Sequence, residues 1–401
     1  MSSRPLRVAI VAGGVCGLTC AVGLQKRGVD VQVYEAAAKF GEIGAGLGLG
    51  RNAVNVLKAL GVYDALSVDD MRGWFVYHRG TGNHEVLFDV RRRQGHALAR
   101  RPPRGISRRT RRTPWTPRAH FKKRCTHRAE GASGTTTVHF ADGTAAEADV
   151  VLGADGIKSV VRRFVTDTAS RGVDPHAKFS NTICYRSLVP AARAREAGCK
   201  LDYGQRPRCM VGENRHLILF TVKRGTLINV VAFVSDPDSA PASYPHPPLA
   251  SVQQATKAEV LAAPTKWNIS VVYPYVPAAH WTRRAVLTAR RQAHGMLPHL
   301  GAGAGQGLED AYLLAQLLGH PQTNVEAVLR AYASVREPRA RMVWEGSRHA
   351  GDIWDCRAGC DGIEAEEVKS LLDPVWHHPV DADMLVAEDV LVKEQVFRRT
   401  S

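Results

Sequence analysis

Two stretches of small residues, each set at the end of an apolar strand and each accompanied by an acid, carry the chemistry that this chain offers. In VVLGADGIKSVVR, residues 150–162, a strand runs into Gly153-Ala154-Asp155-Gly156 and then into a basic helix start. In VAIV, residues 8–11, a strand runs into Ala12-Gly13-Gly14-Val15-Cys16-Gly17 and the helically spaced LTCAVGLQKRG. Backbone stripped of side chains can approach a pyrophosphate closely. Its charge is then met by the unpaired N–H groups and the positive dipole end of the following helix. A second strand, VDVQVYE, ends in Glu35, eighteen residues beyond Gly17, where an acid reaches a ribose hydroxyl. The chemistry so implied is recognition of a dinucleotide. The first glycine of the usual G-x-G-x-x-G is replaced by Ala12, which tolerates the tight turn less well.

A third stretch, HGMLPHLGAGAGQGLEDAYLLAQLL at 294–318, sets a proline-bearing loop and five small residues before an amphipathic helix. Such a loop lets a planar ring and a ribityl phosphate lie against backbone, with helix-start N–H groups to receive anionic oxygen. Taken singly, the first motif equally suits a plain βαβ turn and the third a glycine-rich hinge. The three in this order favour a nucleotide, and the stretch around Asp155 and Gly156 suits a flavin.

The elements that must position these residues read as an α/β fold. A Rossmann-like nucleotide-binding domain is discontinuous, with residues 1–177 as its first part and 278–345 as its return segment. Between them, 178–277 reads as a mostly antiparallel β-sheet substrate domain, from the strands FSNTICYRSLVP, RHLILFTVK, TLINVVAFVS and WNISVVYPYV. A Pro-rich loop lies at 236–249, and residues 307–345 are helical by the spacing of Leu308, Ala311, Leu314, Ala315 and Leu318. Residues 346–401, with Trp354 and Trp376, read as a C-terminal helical cap.

At 401 residues and 44% hydrophobic the chain can bury a large core, and no apolar run reaches the ~20 residues that span a bilayer. A soluble, cytoplasmic protein with no membrane partner is expected. Most of the eight cysteines read as reduced thiols, no metal site is expected, and Cys356 and Cys360, a helical turn apart without companion histidines, are the pair to check. The net charge of +16 suggests nucleic acid until it is located. Fourteen Lys and Arg with no acid lie within 91–124 and account for all but two of those charges. By pattern that segment is an unfolded or exposed arm. Its abrupt edges favour a shifted reading frame over a real basic arm.

The chain resembles the FAD-dependent aromatic monooxygenases of the salicylate-hydroxylase-like group. The resemblance is carried by GGVCGL, Glu35, EIGAGLGLGRNAVNVLKALGV, the Asp155-containing motif, YRSLVP, GAGAGQGLEDA and REPRARMVWEGS. It implies that Gly14, Gly17 and Glu35 hold the ADP part of FAD, that Gly48 lies near the flavin, and that Asp155 and Gly156 belong to a motif shared by FAD and NAD(P)H. Pro298 through Gly303 to Ala304 would lie along the isoalloxazine ring. The implied reaction, a tailoring step of secondary metabolism, is hydride transfer from NAD(P)H to FAD, then capture of O₂ as a C4a-hydroperoxide that hydroxylates a phenol or aromatic acid.

Two departures from the family pattern bear on activity. TARRQAH, Thr288 to His294, stands where the family carries a Gly-Asp motif whose acid contacts the ribityl chain, and an Arg-Ala-Asp-Leu-like Arg is absent from 91–124. The chain also looks short between Leu261 and Lys266. These departures imply weaker FAD binding. Arg186, in Cys184-Tyr185-Arg186-Ser187, is the first catalytic candidate, because a fixed cation stabilises an anion in a low-dielectric pocket. A surface ion pair is its bland alternative. His299 is the second, since an unperturbed imidazole titrates near neutrality and could exchange a proton with a phenol; a satisfied structural histidine is the alternative. Tyr185 reads as a core aromatic, and Phe220 lacks the hydroxyl that some relatives carry. The partners expected are a small aromatic substrate and O₂, with the chain a monomer or homodimer. An inactive flavoprotein relative and a nucleic-acid-binding protein using the basic segment are the competing readings.

Overall fold

The computed structural model describes residues 4–41, 47–66, 68–70, 75–90, 97–99, 118–130, 135–165, 177–199, 206–236, 265–272, 282–283, 286–288 and 295–398. Much of the arginine segment (91–96 and 100–117), the Pro-rich loop from 237 onward, 261–264 and 289–294 lie outside the described residues.

The chain opens with β1 (Arg7–Val11), α1 (Val15–Lys26) and β2 (Asp30–Tyr34), followed by β3 (Leu47–Leu49), α2 (Arg51–Ala59), β4 (Val68–Asp70), β5 (Val76–Arg79) and β6 (Val86–Asp89). Next come β7 (Ala97–Ala99), β8 (Arg118–His120), β9 (Cys125–Glu130), β10 (Thr136–Phe140), β11 (Ala145–Ala148), β12 (Val150–Gly153) and α3 (Val160–Val165). The second half holds β13 (Ala177–Pro190), α4 (Ala191–Glu196), β14 (Arg208–Gly212), β15 (Arg215–Val222), β16 (Leu227–Ser235), β17 (Thr265–Val272), β18 (Thr282–Arg283) and β19 (Val286–Thr288). Four helices close the chain: α5 (Gly303–Leu318), α6 (Val325–Trp354), α7 (Ala365–Trp376) and α8 (Val380–Lys393).

A six-stranded sheet runs in the order β18-β19-β12-β1-β2-β8, parallel throughout except for the β18–β19 pair. Its central strands are apolar runs because both faces are covered, and Val8, Ile10, Val33, Val150 and Leu152 are all buried. On one face Leu24 of α1 meets Leu313, Leu314 and Leu317 of α5 and Val328 and Tyr332 of α6. Each fully buried leucine there contributes about 1.5–3 kcal/mol relative to exposure.

The second sheet has seven strands in the order β17-β13-β16-β15-β14-β5-β6. It is antiparallel except where β14 meets β5 in parallel, so two strands from upstream of the Asp155 turn extend it. One face, with Ile183, Tyr185, Leu217, Leu219 and Val230, packs with Ala191 and Ala194 of α4. The other face, with Tyr77, Cys209 and Val211, packs on Trp344, Trp354 and Leu300.

One expectation needs correction. The basic segment is not simply an unfolded or exposed arm: β7 pairs with β3 and β4, and β8 is the edge strand of the parallel sheet, with Gln32 to Tyr34 opposite Arg118 to His120. Lys122 and Lys123 continue that edge through amide hydrogen bonds to the carbonyls of Ala37 and Glu35, and Lys123 Nζ sits 2.6 Å from Asp142. A three-residue edge strand has too few positions to show a period. Reduced thiols hold for six cysteines, whereas Cys356 and Cys360 are joined as a disulfide just beyond α6.

Candidate active site

The small-residue turn after β1 closes because Ala12 takes a left-handed φ of 83°. Its amide donates to Tyr34 O at 2.8 Å, and the Gly13 amide donates to Glu35 Oε2 at 2.8 Å. Glu35 is thereby fixed at the end of β2, with its other oxygen accepting from the Ala37 amide at 2.7 Å. A side chain at Gly17 would run into the Ala12 carbonyl oxygen and lie 3.2 Å from Ala154 Cβ. Behind this turn α1 starts at Gly14 with no side-chain cap and no acid in its first turn.

The Asp155 turn lies directly beside it, since the Ala154 amide donates to Val11 O at 2.8 Å. Asp155 accepts from Ser159 Oγ at 2.6 Å and the Val160 amide at 2.7 Å, so its carboxylate caps α3 from within its own turn. Gly156 holds a φ of 80° with open space around it.

The third stretch arrives from the far side of α1. Cys16 Sγ lies 3.8 Å from Ala304 O, and α5 also begins without a side-chain cap or an acid in its first turn. The loop before it turns at Gly301, whose φ is 61° and whose amide donates to Pro298 O at 2.9 Å. Its carbonyls are fastened from behind: Trp344 Nε1 donates to Gly295 O at 3.2 Å, Ser347 Oγ to Leu297 O at 2.5 Å, and Trp376 Nε1 to Leu300 O at 2.9 Å. Gly48 comes near through Trp376, whose ring lies 3.8 Å from where a Cβ on Gly48 would stand. Gly14, Gly17, Glu35, Asp155, Gly156, Gly303 and Ala304 are thus brought to the carboxyl ends of the interior strands β1, β2 and β12.

These residues fit an FAD. Two uncapped helix starts free of acids, a turn that any side chain would fill, and a carboxylate at a strand end match a pyrophosphate and a ribose. The position where the family carries its ribityl-contacting acid falls at 289–294, which holds no acid and lies outside the described residues.

His299 leaves the loop toward the seven-stranded sheet. Its ring centroid is 5.1 Å from His216, 5.4 Å from Phe233 and 5.7 Å from Trp354. Burial, then the neighbouring His216, push its pKa down to about 3, and Asp355 opposes the shift. The near-neutral titration that an unperturbed imidazole would have is therefore replaced by a ring that stays neutral at pH 7. Arg186 is half-buried on β13. Cys184, two residues before it, pairs with Phe233, and Phe233 with His216, so Arg186 occupies the sheet face that His299 meets. Tyr185 points to the opposite face and is a core aromatic.

Two groups of polar residues behind the site escaped the sequence reading. His216 Nδ1 lies 2.7 Å from Asp355 Oδ1, both buried. Burial pushes the Asp355 carboxyl up, but the hydrogen bond and charge of His216 outweigh it and hold the group below the usual carboxylate range. The second group surrounds Arg336, fully buried, at 2.8 Å from Glu309 and from Asp310 and 2.6 Å from Asp383. Arg339 lies 3.1 Å from Glu309, and Asn52 Nδ2 donates to Glu309 at 2.5 Å. Glu309, His378 and Asp383 lie within 4.8 Å of one another, as metal ligands would, but the guanidinium groups of Arg336 and Arg339 already supply positive charge to the two carboxylates.

A profile of the FAD binding domain family matches residues 5–347. The chain is 34% identical to a salicylate hydroxylase of Pseudomonas putida, with 95% of this chain and 94% of that protein covered. It is 31% identical to a 6-methylsalicylate 1-monooxygenase of Aspergillus terreus, over 87% of this chain and 83% of that one. Among solved structures, a salicylate hydroxylase substrate complex superposes with a TM-score of 0.77 at 29% identity, covering 96% and 98% of the two chains.

Proposed function

From the premise that this chain belongs to the salicylate-hydroxylase-like family of FAD-dependent monooxygenases, we propose that it hydroxylates a small phenol or aromatic acid with NAD(P)H and O₂. When bound, FAD supplies the redox chemistry that takes hydride from the nicotinamide and activates dioxygen. The protein's share is to bind, orient and keep water away from the reacting atoms.

What supports the aromatic reading is the cluster of His216, Phe233, His299 and Trp354 between the loop at 298–304 and the seven-stranded sheet. Among the described residues, His216 Nε2, His299 Nδ1 and Trp354 Nε1 are buried without a hydrogen-bond partner. A flat ring carrying a hydroxyl satisfies both the apolar walls and such polar atoms. In this reading Arg186 stabilises the anionic form of the substrate from the shared sheet face. His299 acts as a neutral hydrogen-bonding ring rather than as a base, because its pKa of about 3 leaves it a poor proton acceptor.

The purified protein is expected to be yellow, to oxidise NAD(P)H faster when salicylate or a related phenol is added, and to yield a product heavier by one oxygen drawn from labelled dioxygen. Faster NAD(P)H consumption with no oxygenated product would make it an oxidase instead. A nucleic-acid role draws on the basic segment, and no feature of the described residues favours it.

A further inference from the structure

We propose that Trp376, at the end of α7, is a positioning residue that sets the gap between the two loops meant to enclose the flavin ring, a proposal that rests on the FAD reading above. The side chain is 8% exposed, although it comes from a C-terminal helix that the cofactor motifs do not include. It touches both loops at once. On one side Nε1 donates to Leu300 O at 2.9 Å, and a Cβ on Gly301 would be 3.4 Å from the indole ring. On the other side a Cβ on Gly50 would be 3.1 Å from Trp376 Cα and Cβ, and one on Gly48 3.8 Å from the ring edge. Glycines stand at the three backbone positions that face the tryptophan, which is what close approach of a large ring to main chain requires.

The tryptophan is itself held in register. Arg339 Nη1 donates to Pro374 O at 2.8 Å and Nη2 to Val375 O at 2.9 Å, fixing the two residues before it. The same guanidinium pairs with Glu309 of α5, and Glu309 accepts from Asn52 of α2, two residues beyond Gly50. A closed circuit therefore runs from Gly50 and Asn52 through Glu309, Arg339 and Val375 to Trp376, and back to both Gly50 and Leu300. Buried polar groups joined in this way hold a single geometry, because breaking any member leaves a desolvated partner. The indole is the member that spans the two loops, and a phenylalanine reproduces neither its N–H nor the outer ring that faces Gly48 and Gly301.

The test compares Trp376→Phe and Trp376→Ala with Leu372→Ala, a buried residue of the same helix one turn earlier. Apoprotein is titrated with FAD by fluorescence quenching, thermal midpoints are measured with and without FAD, and circular dichroism is recorded over the visible band of the bound flavin. Trp376→Phe is expected to weaken FAD about tenfold, the equivalent of ~1.4 kcal/mol, and to alter the visible dichroism; Trp376→Ala weakens it further. Leu372→Ala is expected to lower the thermal midpoint while leaving FAD affinity and the dichroism unchanged. Wild-type affinity and dichroism in both tryptophan variants would overturn the proposal, as would an equal loss in Leu372→Ala. Failure of the wild-type protein itself to take FAD would overturn the cofactor reading and, with it, this inference.

Discussion

His216 and Asp355 share a hydrogen bond of 2.7 Å, Nδ1 to Oδ1, across 139 residues of chain and out of reach of solvent. The bond joins the seven-stranded sheet to the end of α6, and the Asn214 amide repeats the link by donating to Asp355 O at 2.8 Å. It also settles which imidazole nitrogen faces the aromatic cluster, since Nδ1 is engaged by the carboxylate.

Replacing Asp355 by Asn removes the charge and weakens this bond. The expected cost is about 1–3 kcal/mol of folding free energy, read from urea unfolding at pH 7. Because the folded carboxyl lies below its ordinary range, its stabilisation is complete above pH ~4 and fades as the pH falls through the folded value. The wild-type advantage over Asp355→Asn should therefore shrink in acid.

His299 predicts a second acid effect in a different window. The unfolded chain takes up its imidazole proton near pH ~6.5, whereas the folded ring does so only at about 3. Between those values the unfolded state binds more protons, so stability declines as pH falls from about 6.5 toward 3. His299→Phe, which cannot titrate, should show a shallower decline between pH 7 and 5 in the same urea experiment. Equal slopes for the two proteins would refute the shifted ring.

Arg336 is surrounded by three carboxylates, and removing it takes away the cation they share, leaving Glu309 with Arg339 and Asp383 with His378. Arg336→Met is expected to cost about 3–5 kcal/mol, visible as a large fall in thermal midpoint. Arg336→Lys should recover little, since one ammonium cannot present the fork that reaches Glu309, Asp310 and Asp383 together. Adding Asp310→Asn to Arg336→Met should restore part of the loss.

Ala12 holds a left-handed backbone that an L side chain disfavours. Ala12→Gly is expected to stabilise the protein by about 0.5–1 kcal/mol, the steric relief exceeding the added chain entropy. Gly17→Val should do the reverse and abolish FAD uptake, because its side chain would collide with the Ala12 carbonyl oxygen. Retained uptake in Gly17→Val, measured by flavin absorbance after desalting, would show that this turn is not the pyrophosphate cradle.

The parts of the fold legible in the sequence are those whose cause is local. β1 and β12 are apolar runs because both sheet faces are covered, and β13, β15 and β16 appear close to their true limits. The union of β5 with β14 was not legible, since Val76 to Arg79 meet Arg208 to Val211 only through tertiary pairing. β8 was hidden because three residues at a sheet edge, ending a basic run, show no period. The small-residue turns were visible, but what stands behind them was not. Arg336 and Arg339 look like surface charge in REPRAR until three acids from two other helices surround them. Trp376 lies far along the chain from the glycines that receive it. The unusual acidity of the His299 imidazolium arises from burial, which its neighbours in sequence do not reveal.

The circuit that runs from Gly50 to Trp376 carries a consequence for biosynthesis. A ribosome delivers residues in order, yet the receptacle needs contributions from near the first residue and from near the last. If Trp376 sets the gap as proposed, a polypeptide interrupted before α7 lacks one wall of the receptacle, and it should hold flavin more weakly than the full chain however well its opening half folds.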